Sequence, residues 1–431
     1  STPALPEFMD ARNGILVADV LNNGGDNLCT LWRIFAERGL GLNATFDQTS
    51  SARPVDNFDV APDCIPNADA NGPYATPEGT NVTLDASGST EGVHPSGGAI
   101  VSYDWDFDGD GDYDDATGVA PAFTDVGDDA VITVAVQVTN AAGVTDEATS
   151  SVTVTNVDPS VSLDPVATTS ENTSITLTGI GTDPGWEDDL TATVDWDDGN
   201  GPQVLGGIQE NVRPNATLTF SVDHTYGDNG VYTVEVCVDD DDGGQGCATT
   251  NVTITNTDPT SDIGEDVYLA HAGENLDVSA NSVDPGSDDL TATWDWGDGN
   301  SDVDVSLVND PLLDPPKSPT IQPRDVDFLA SHIYGDACRY DLGLLVVDDD
   351  GGGASDAAVV IITGNDDQVW GSGWWMNQYR DKNPNWFTTE RLECYLDIVT
   401  FMSDVFDEVR GPLDTRADAV DVLFLKQNQG S

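Results

Sequence analysis

The chain repeats itself. The run DPGWEDDLTATVDWDDGN (Asp183–Asn200) returns as DPGSDDLTATWDWGDGN (Asp284–Asn300), and HTYGDNGVYTVEVCVDDDDGG (His224–Gly244) returns as HIYGDACRYDLGLLVVDDDGG (His332–Gly352). The offset is about 100 residues, the size of one two-sheet β domain. A more divergent copy precedes both: ATPEGTNVTLDASGSTEG, then VSYDWDFDGDGDYDD, then AVITVAVQVTNAAGVTDEATSSVTVTNVDP. Self-similarity at a domain-sized period means that each copy folds as its own unit and that the units follow one another in series.

Each copy ends in apolar–polar alternation, as in Val152 and Val154 beside Thr153 and Thr155, or Val252 and Ile254 beside Thr253 and Thr255. A period of two in Val and Thr predicts strands, and the Asp/Gly clusters between these runs predict turns. The modules are placed at 66–158, 159–258 and 259–366, with flanks at 1–65 and 367–431.

Acidic residues number 78 against 14 basic ones, a net charge of −64. Such a surface cannot neutralise a phosphate backbone or seat on an anionic bilayer, so nucleic acid and membrane partners are excluded. No run of apolar residues is long enough to insert into a membrane, and Ser1 opens no secretory leader, as expected of a mature product. The 38% hydrophobic content and ten tryptophans argue against disorder of the whole chain. The acidity favours bound cations, a salty medium or both. At 1 M salt the Debye length falls to about 3 Å, which suits a marine or halophilic source.

Six cysteines, spread one pair per region and never as Cys-x-x-Cys, suit disulfides in an oxidising compartment and so an extracellular or cell-surface location. The expected pairs are Cys29–Cys64, Cys237–Cys247 and Cys338–Cys394.

The runs Asp104–Gly109 (DWDFDG), Asp195–Gly199 (DWDDG) and Asp295–Gly299 (DWGDG) resemble the Trp-Asp-Phe-Gly-Asp-Gly signature of PKD (polycystic kidney disease) domains, and the His224 and His332 stretches resemble that family's second landmark. The resemblance implies a mainly β chain: three tandem immunoglobulin-like (PKD) β-sandwiches flanked by small N- and C-terminal helical segments. Such domains serve as spacers in secreted and surface proteins, often beside hydrolases. Trp105, Trp196 and Trp296 are read as equivalent core residues, and His224 and His332 as structural hydrogen-bonding groups.

The flanks read as helical. Ile15, Leu16, Ala18, Val20 and Leu21 form one apolar stretch, and Leu31, Ile34, Phe35 and Arg38 lead to Gly39, a C-terminal cap. The run ARNGILVAD…GG…C…LWRIFAERGLGLNA resembles the C-terminal end of fungalysin-like secreted zinc metallopeptidases. After Trp370, Trp374, Trp375 and Trp386, a helix is expected from Thr389, with Leu392, Leu396, Val399, Met402, Phe406 and Val409 on one stripe, and a shorter helix over Asp414–Lys426.

An enzyme is not expected. Fungalysin-like peptidases hold zinc through His-Glu-x-x-His, but none of His94, His224, His271 and His332 is so spaced, and no Gly-x-Ser-x-Gly elbow occurs. Calcium is the expected cofactor. Asp106, Asp108, Asp110, Asp112 and Asp114 alternate around Gly111 as in the first nine positions of an EF-hand loop, with Asp115 standing in for the missing acidic twelfth position. Asp183, Asp188 and Asp189 in one Pro-Gly turn, and Asp284, Asp288 and Asp289 in its repeat, lie near the linkers Asn156-Val157-Asp158-Pro159 and Asn256-Thr257-Asp258-Pro259. That arrangement resembles cadherin-type junctions, where calcium bridges successive sandwiches. Asp195, Asp197 and Asp295 after the signature strands, and Asp239–Asp242 and Asp348–Asp350 in the late hairpins, with Asp239 and Asp348 foremost, complete the candidate ligands.

The expected function is a non-catalytic, extracellular, calcium-binding structural or adhesive rod, such as a surface appendage or filament subunit. Its partners are copies of itself, other extracellular proteins or a polysaccharide. Two alternatives stand beside it: the processed substrate-binding or anchoring C-terminal portion of a secreted zinc metallopeptidase, and a glycan- or protein-binding module.

Overall fold

The computed structural model describes residues 8–47, 53–308, 321–364, 378 and 387–401. Three β-sandwiches follow one another, each built around one five-stranded sheet. In the first, the order is Tyr74–Pro77, Thr145–Thr155, Ala130–Asn140, Ile100–Asp106 and Ala116–Thr117. In the second it is Thr169–Ser170, Gln245–Thr255, Gly230–Asp239, Thr191–Asp195 and Gln203–Leu205. In the third it is Val267–His271, Gly353–Thr363, Arg339–Val347, Leu290–Asp295 and Ser301–Ser306. Each time the edge strand named first pairs parallel with the last strand of the sandwich, and the other pairings are antiparallel.

The opposing sheets differ. The second sandwich has four strands, Ser160–Leu163, Ser174–Asp183, Asn215–Thr225 and Ile208–Val212, and the third has three. The first has only Val82–Thr83 paired with Ala122–Phe123. There the chain spends residues on turns instead: Asp85 accepts from the Ser87 amide, and His94 caps a short 3-10 turn at Pro95–Gly97. Apolar residues at alternate positions meet between the sheets, including Val134, Val136 and Val138 in the first core, Val234, Val236 and Val238 in the second, and Leu342, Leu344 and Val346 in the third.

Trp105, Trp196 and Trp296 are all buried, but they are not equivalent. Trp105 lies opposite Val136, as Val194 lies opposite Val236 and Trp294 opposite Leu344. Trp196 and Trp296 fall two residues further on, where the first sandwich has Phe107. Because strands alternate with period two, the displacement keeps every one of these rings on the inward face. His224 stacks on Trp196 at 4.2 Å and His332 on Trp296 at 4.7 Å, and His332 Nε2 is 2.8 Å from Asp298 Oδ2. His224 Nε2 faces Asp198 Oδ2 at 3.3 Å in the same way.

Two helices precede the sandwiches: α1, Phe8–Asn23, and α2, Leu28–Ala36. Gly39 follows α2 at φ +76°, a left-handed conformation that a side chain would strain. α2 docks on the first sandwich: the Cys29 amide donates to Ser96 Oγ, Arg33 Nε to the Ala142 carbonyl, and Asn140 Nδ2 to the Cys64 carbonyl. α1 is inside out. Arg12, Leu16 and Asp19 are its buried residues, while Phe8, Ile15, Val17, Val20 and Leu21 are exposed. Arg12 is held by the Leu40 and Gly41 carbonyls, and Asp19 by Asn23 and Asn27.

A helix α3, Thr389–Phe401, packs near the last sandwich with Leu392 and Leu396 buried. The four tryptophans Trp370, Trp374, Trp375 and Trp386, the positions Met402, Phe406 and Val409, and the expected helix over Asp414–Lys426 lie outside the described residues. All three disulfides form as expected: Cys29–Cys64, Cys237–Cys247 and Cys338–Cys394. No described helix is long and apolar enough to cross a membrane.

Candidate metal centres at the sandwich junctions

The two places where one sandwich meets the next are built alike. Directly after the parallel-paired edge strand of the upstream sandwich stands a glutamate, Glu78 or Glu171, whose amide donates to the Thr155 or Thr255 carbonyl. Its carboxylate turns toward the next sandwich and accepts from the linker: Val157 N to Glu78 Oε1, and Thr257 N to Glu171 Oε1, both at 2.6 Å. The downstream sandwich presents its Pro-Gly turn, docked by Glu187 N on the Gly127 carbonyl and Ser287 N on the Gly227 carbonyl. Gly185 and Gly286 let the turn fold back so closely that a Cβ on either would collide with Asp188 or Asp288.

This geometry gathers carboxylates. Glu78, Asp183 and Asp188 bring oxygens within 4.8 Å of one another at the first junction, and Glu171, Asp284 and Asp288 do so at the second. Asp183 and Asp284 are fully buried, and Glu78, Glu171, Asp188 and Asp288 are at most 2% exposed. Asp183 Oδ1 and Asp284 Oδ1 each accept from the glycine amide of their own turn. No donor among the described residues reaches Glu78 Oε2, Glu171 Oε2, Asp183 Oδ2, Asp284 Oδ2 or either carboxylate oxygen of Asp188 and Asp288. The linker amide oxygens Asn156 Oδ1 and Asn256 Oδ1 are also without a donor, while their Nδ2 groups hold Asp240 and Asp348.

A buried anion short of donors is costly, and such groups shift toward their neutral form, although at the second junction the Arg324 guanidinium partly offsets this for Asp284. Burial, reinforced by the neighbouring carboxylates, pushes Glu78 and Glu171 up to about 7, Asp188 up to about 8 and Asp288 up to about 9. Burial also raises Asp284, to about 6, and Asp183. The alternative to protonation is a cation. Calcium takes oxygen ligands at roughly 2.3–2.6 Å, so oxygens on opposite sides of it sit up to about 5 Å apart. The donor set, all carboxylate and amide oxygen with neither sulfur nor imidazole, is that of a hard divalent ion.

Of the aspartates read from the sequence, Asp183, Asp188, Asp284 and Asp288 enter these clusters. The linker residues Asp158 and Asp258 border them, against Gly244 and Gly352. Asp348 lies at the rim through Asn256. Its counterpart is Asp240, not Asp239: both begin a hairpin closed by the Gly244 or Gly352 carbonyl, whereas Asp239 turns to Gln245. Asp189 receives the Gln209 amide and Asp289 the Val308 amide. Asp195, Asp197 and Asp295 are engaged away from the junctions, accepting from the Asp197, Thr233 and Gly297 amides.

The Asp106–Asp115 loop does gather Asp106, Asp108 and Asp115. Its carboxylates, however, hold backbone amides of the loop itself: Asp106 takes Gly109 and Gly111, Asp108 takes Asp110, Asp110 takes Asp112, and Asp115 takes Phe107. Asp112 and Asp114 stand on the exposed part of the loop. Glu78 and Glu171 were absent from the sequence reading. The two occupy one position in PEGTNVTL and SENTSITL, but nothing in either run marks a glutamate that a following domain buries.

Residues 156–255 match the family model for the PKD domain. Over those residues the middle sandwich is similar to PKD domains. The flanking sandwiches repeat the strand order of its five-stranded sheet. Residues 1–44 match the model for fungalysin metallopeptidases. Over that end the chain is 52% identical across 48 residues to an extracellular metalloproteinase MEP of Fusarium vanettenii, covering 11% of this chain and 8% of that protein. It is 43% identical across 54 residues to an extracellular metalloproteinase 2 of Phaeosphaeria nodorum, covering 12% and 8%. The match thus spans under a tenth of the length of these relatives. Among solved structures, the PKD domain of an M14-like peptidase from Thermoplasmatales archaeon SCGC AB-540-F20 aligns with 15% identity and a TM-score of 0.20, over 25% of this chain and 98% of that one. A tetra-tandem repeat from the extending region of a large adhesion protein aligns with 17% identity and a TM-score of 0.34, over 69% and 74%.

Proposed function

We propose that this chain is an extracellular spacer in which calcium clamps three PKD-like sandwiches into a stiff, non-catalytic rod. One observation carries the reading: the same cluster of buried carboxylates, each with at least one oxygen that no donor reaches, occurs at both junctions, with ligands drawn from both sandwiches. Calcium there binds the docked arrangement and not the separated one, so it stabilises by mass action. An extracellular location agrees with three disulfides and with relatives named as extracellular enzymes. Partners on this reading are other extracellular proteins or further copies of the chain, and the residual negative charge suits a saline medium.

Calorimetric melting tests the proposal in millimolar calcium, in chelator, and in chelator with molar potassium chloride. Calcium is expected to raise the midpoint by several degrees, and potassium chloride not to replace it. Full restoration by potassium chloride would reduce the acidity to an adaptation to ionic strength and remove the clamp.

A second reading has its own observation. The exposed apolar face of α1 and the 43–52% identities over the same segment favour this chain being the distal, non-catalytic portion of a secreted zinc metallopeptidase. Its gene is then expected to encode His-Glu-x-x-His upstream of Ser1. A gene without a peptidase domain there would sink this reading and leave the first intact.

A further inference from the structure

We infer that the array is closed at both outer ends by a lock of a different kind, disulfide-anchored helices in place of metal, so that the cation junctions are confined to the two joints between the three sandwiches. The inference rests on the calcium reading above and extends it to the ends.

Backbone pairing fixes which residues correspond. The amides of Glu78, Glu171 and Ala272 donate to the carbonyls of Thr155, Thr255 and Thr363, and those of Gly79, Asn172 and Gly273 to the carbonyls of Val126, Tyr226 and Tyr334. Ala272 therefore stands where the upstream glutamate of each junction stands. The third sandwich has lost the carboxylate that reaches toward a following sandwich. The loop that offers the Gly127 and Gly227 carbonyls to the next sandwich corresponds in the third to Gly335–Cys338, and there Cys338 is bonded to Cys394 on α3. Tyr395 of the same helix lies beside Gly364, directly after the last strand. A covalently held helix occupies the end where a fourth sandwich would dock.

The opposite end shows the complementary deletion. Asp240 and Asp348 open the hairpins that face the preceding sandwich, and Asn140 opens the corresponding hairpin of the first sandwich, closed by the Val144 carbonyl. Asn140 is fully buried and neutral, and it spends its side chain on the Cys64 carbonyl. Ala142 and Val144 replace the acidic turn and pack with Cys29 and Cys64, themselves a disulfide. The glutamate of one side and the hairpin aspartate of the other are thus present at both junctions and missing from both outward-facing ends, where only the loop aspartate Asp336 keeps the place of Asp128 and Asp228. Neither end can be extended by a further sandwich through this junction, and any association between chains uses the helical flanks instead.

Hydrogen–deuterium exchange on the intact chain separates the two locks. Chelating calcium is expected to speed exchange at least tenfold at the linker amides of Val157 and Thr257, while α2 and α3 keep their protection. Reducing the disulfides in the presence of calcium is expected to do the reverse. Loosening of helices and linkers together under either treatment would overturn the inference. Equilibrium dialysis with calcium chloride gives the second arm. Glu171→Gln is expected to lose one tightly bound ion per chain and Ala272→Glu to gain none. A gained ion would mean that an acidic partner end does reach this position, and would overturn closure. Should calcium fail to bind, or Glu171→Gln change nothing, the clamp itself falls. Normal calcium binding with helices that loosen in chelator would refute closure alone.

Discussion

Single residues at the junctions should show effects whose sign depends on the medium. Glu78→Gln keeps the shape and removes a buried anion. With calcium present the variant loses a ligand and is expected to melt lower than the parent. In chelator it removes an unpaired charge and is expected to melt higher, by an amount corresponding to about 1–3 kcal/mol. Paired melts of parent and variant in both media check this, and the same sign in both would discount the cluster as a cation site. The pH response follows from the same groups. Their folded pKa values lie above the ordinary carboxylate range, so the native chain binds more protons than the unfolded one. In chelator, stability is fully present near pH 4 and is expected to fall as pH rises through about 7 to about 9. Calcium keeps these carboxylates ionised and should flatten that slope, which melts across pH in both media would read. The aspartates were legible because they recur in a repeated motif. Glu78 and Glu171 were not, because a lone glutamate at a strand end looks like any solvated charge, and only the next sandwich buries it.

At the scale of elements, alternation did most of the reading. Val and Thr at period two located the last strands of each sandwich, and the tryptophans were rightly placed inside. Their mutual register was not readable, since a shift of two residues returns a strand to the same face and leaves no trace in polarity. The inside-out α1 defied its pattern for the opposite reason: Arg12 and Asp19 find partners in the neighbouring loop, and no local rule assigns them inward. Two substitutions probe these elements. Trp196→Ala empties a fully packed site and should cost about 3–5 kcal/mol, read as a lower denaturation midpoint at unchanged slope. Replacing both Cys237 and Cys247 by serine opens a crosslink between paired residues only 10 positions apart and should cost about 3 kcal/mol.

For the molecule as a whole, the order of parts was legible and their joining was not. Repeats announce how many units there are, but the contacts between units depend on loops that the repeat places without orienting. The parallel pair at the edge of each five-stranded sheet has a mechanical consequence. When the two ends of a sandwich are pulled apart, such a pair is sheared along its length, and its hydrogen bonds must break together instead of unzipping one by one. Five residue pairs share this load in the third sandwich and four in the first, but only two in the second, Thr169 with Ile254 and Ser170 with Thr255. Under tension the middle sandwich is expected to yield first in single-molecule pulling. Its Cys237–Cys247 bond then keeps the intervening turn out of the released length. A tether made this way gives a little at its centre while both of its attached ends stay folded.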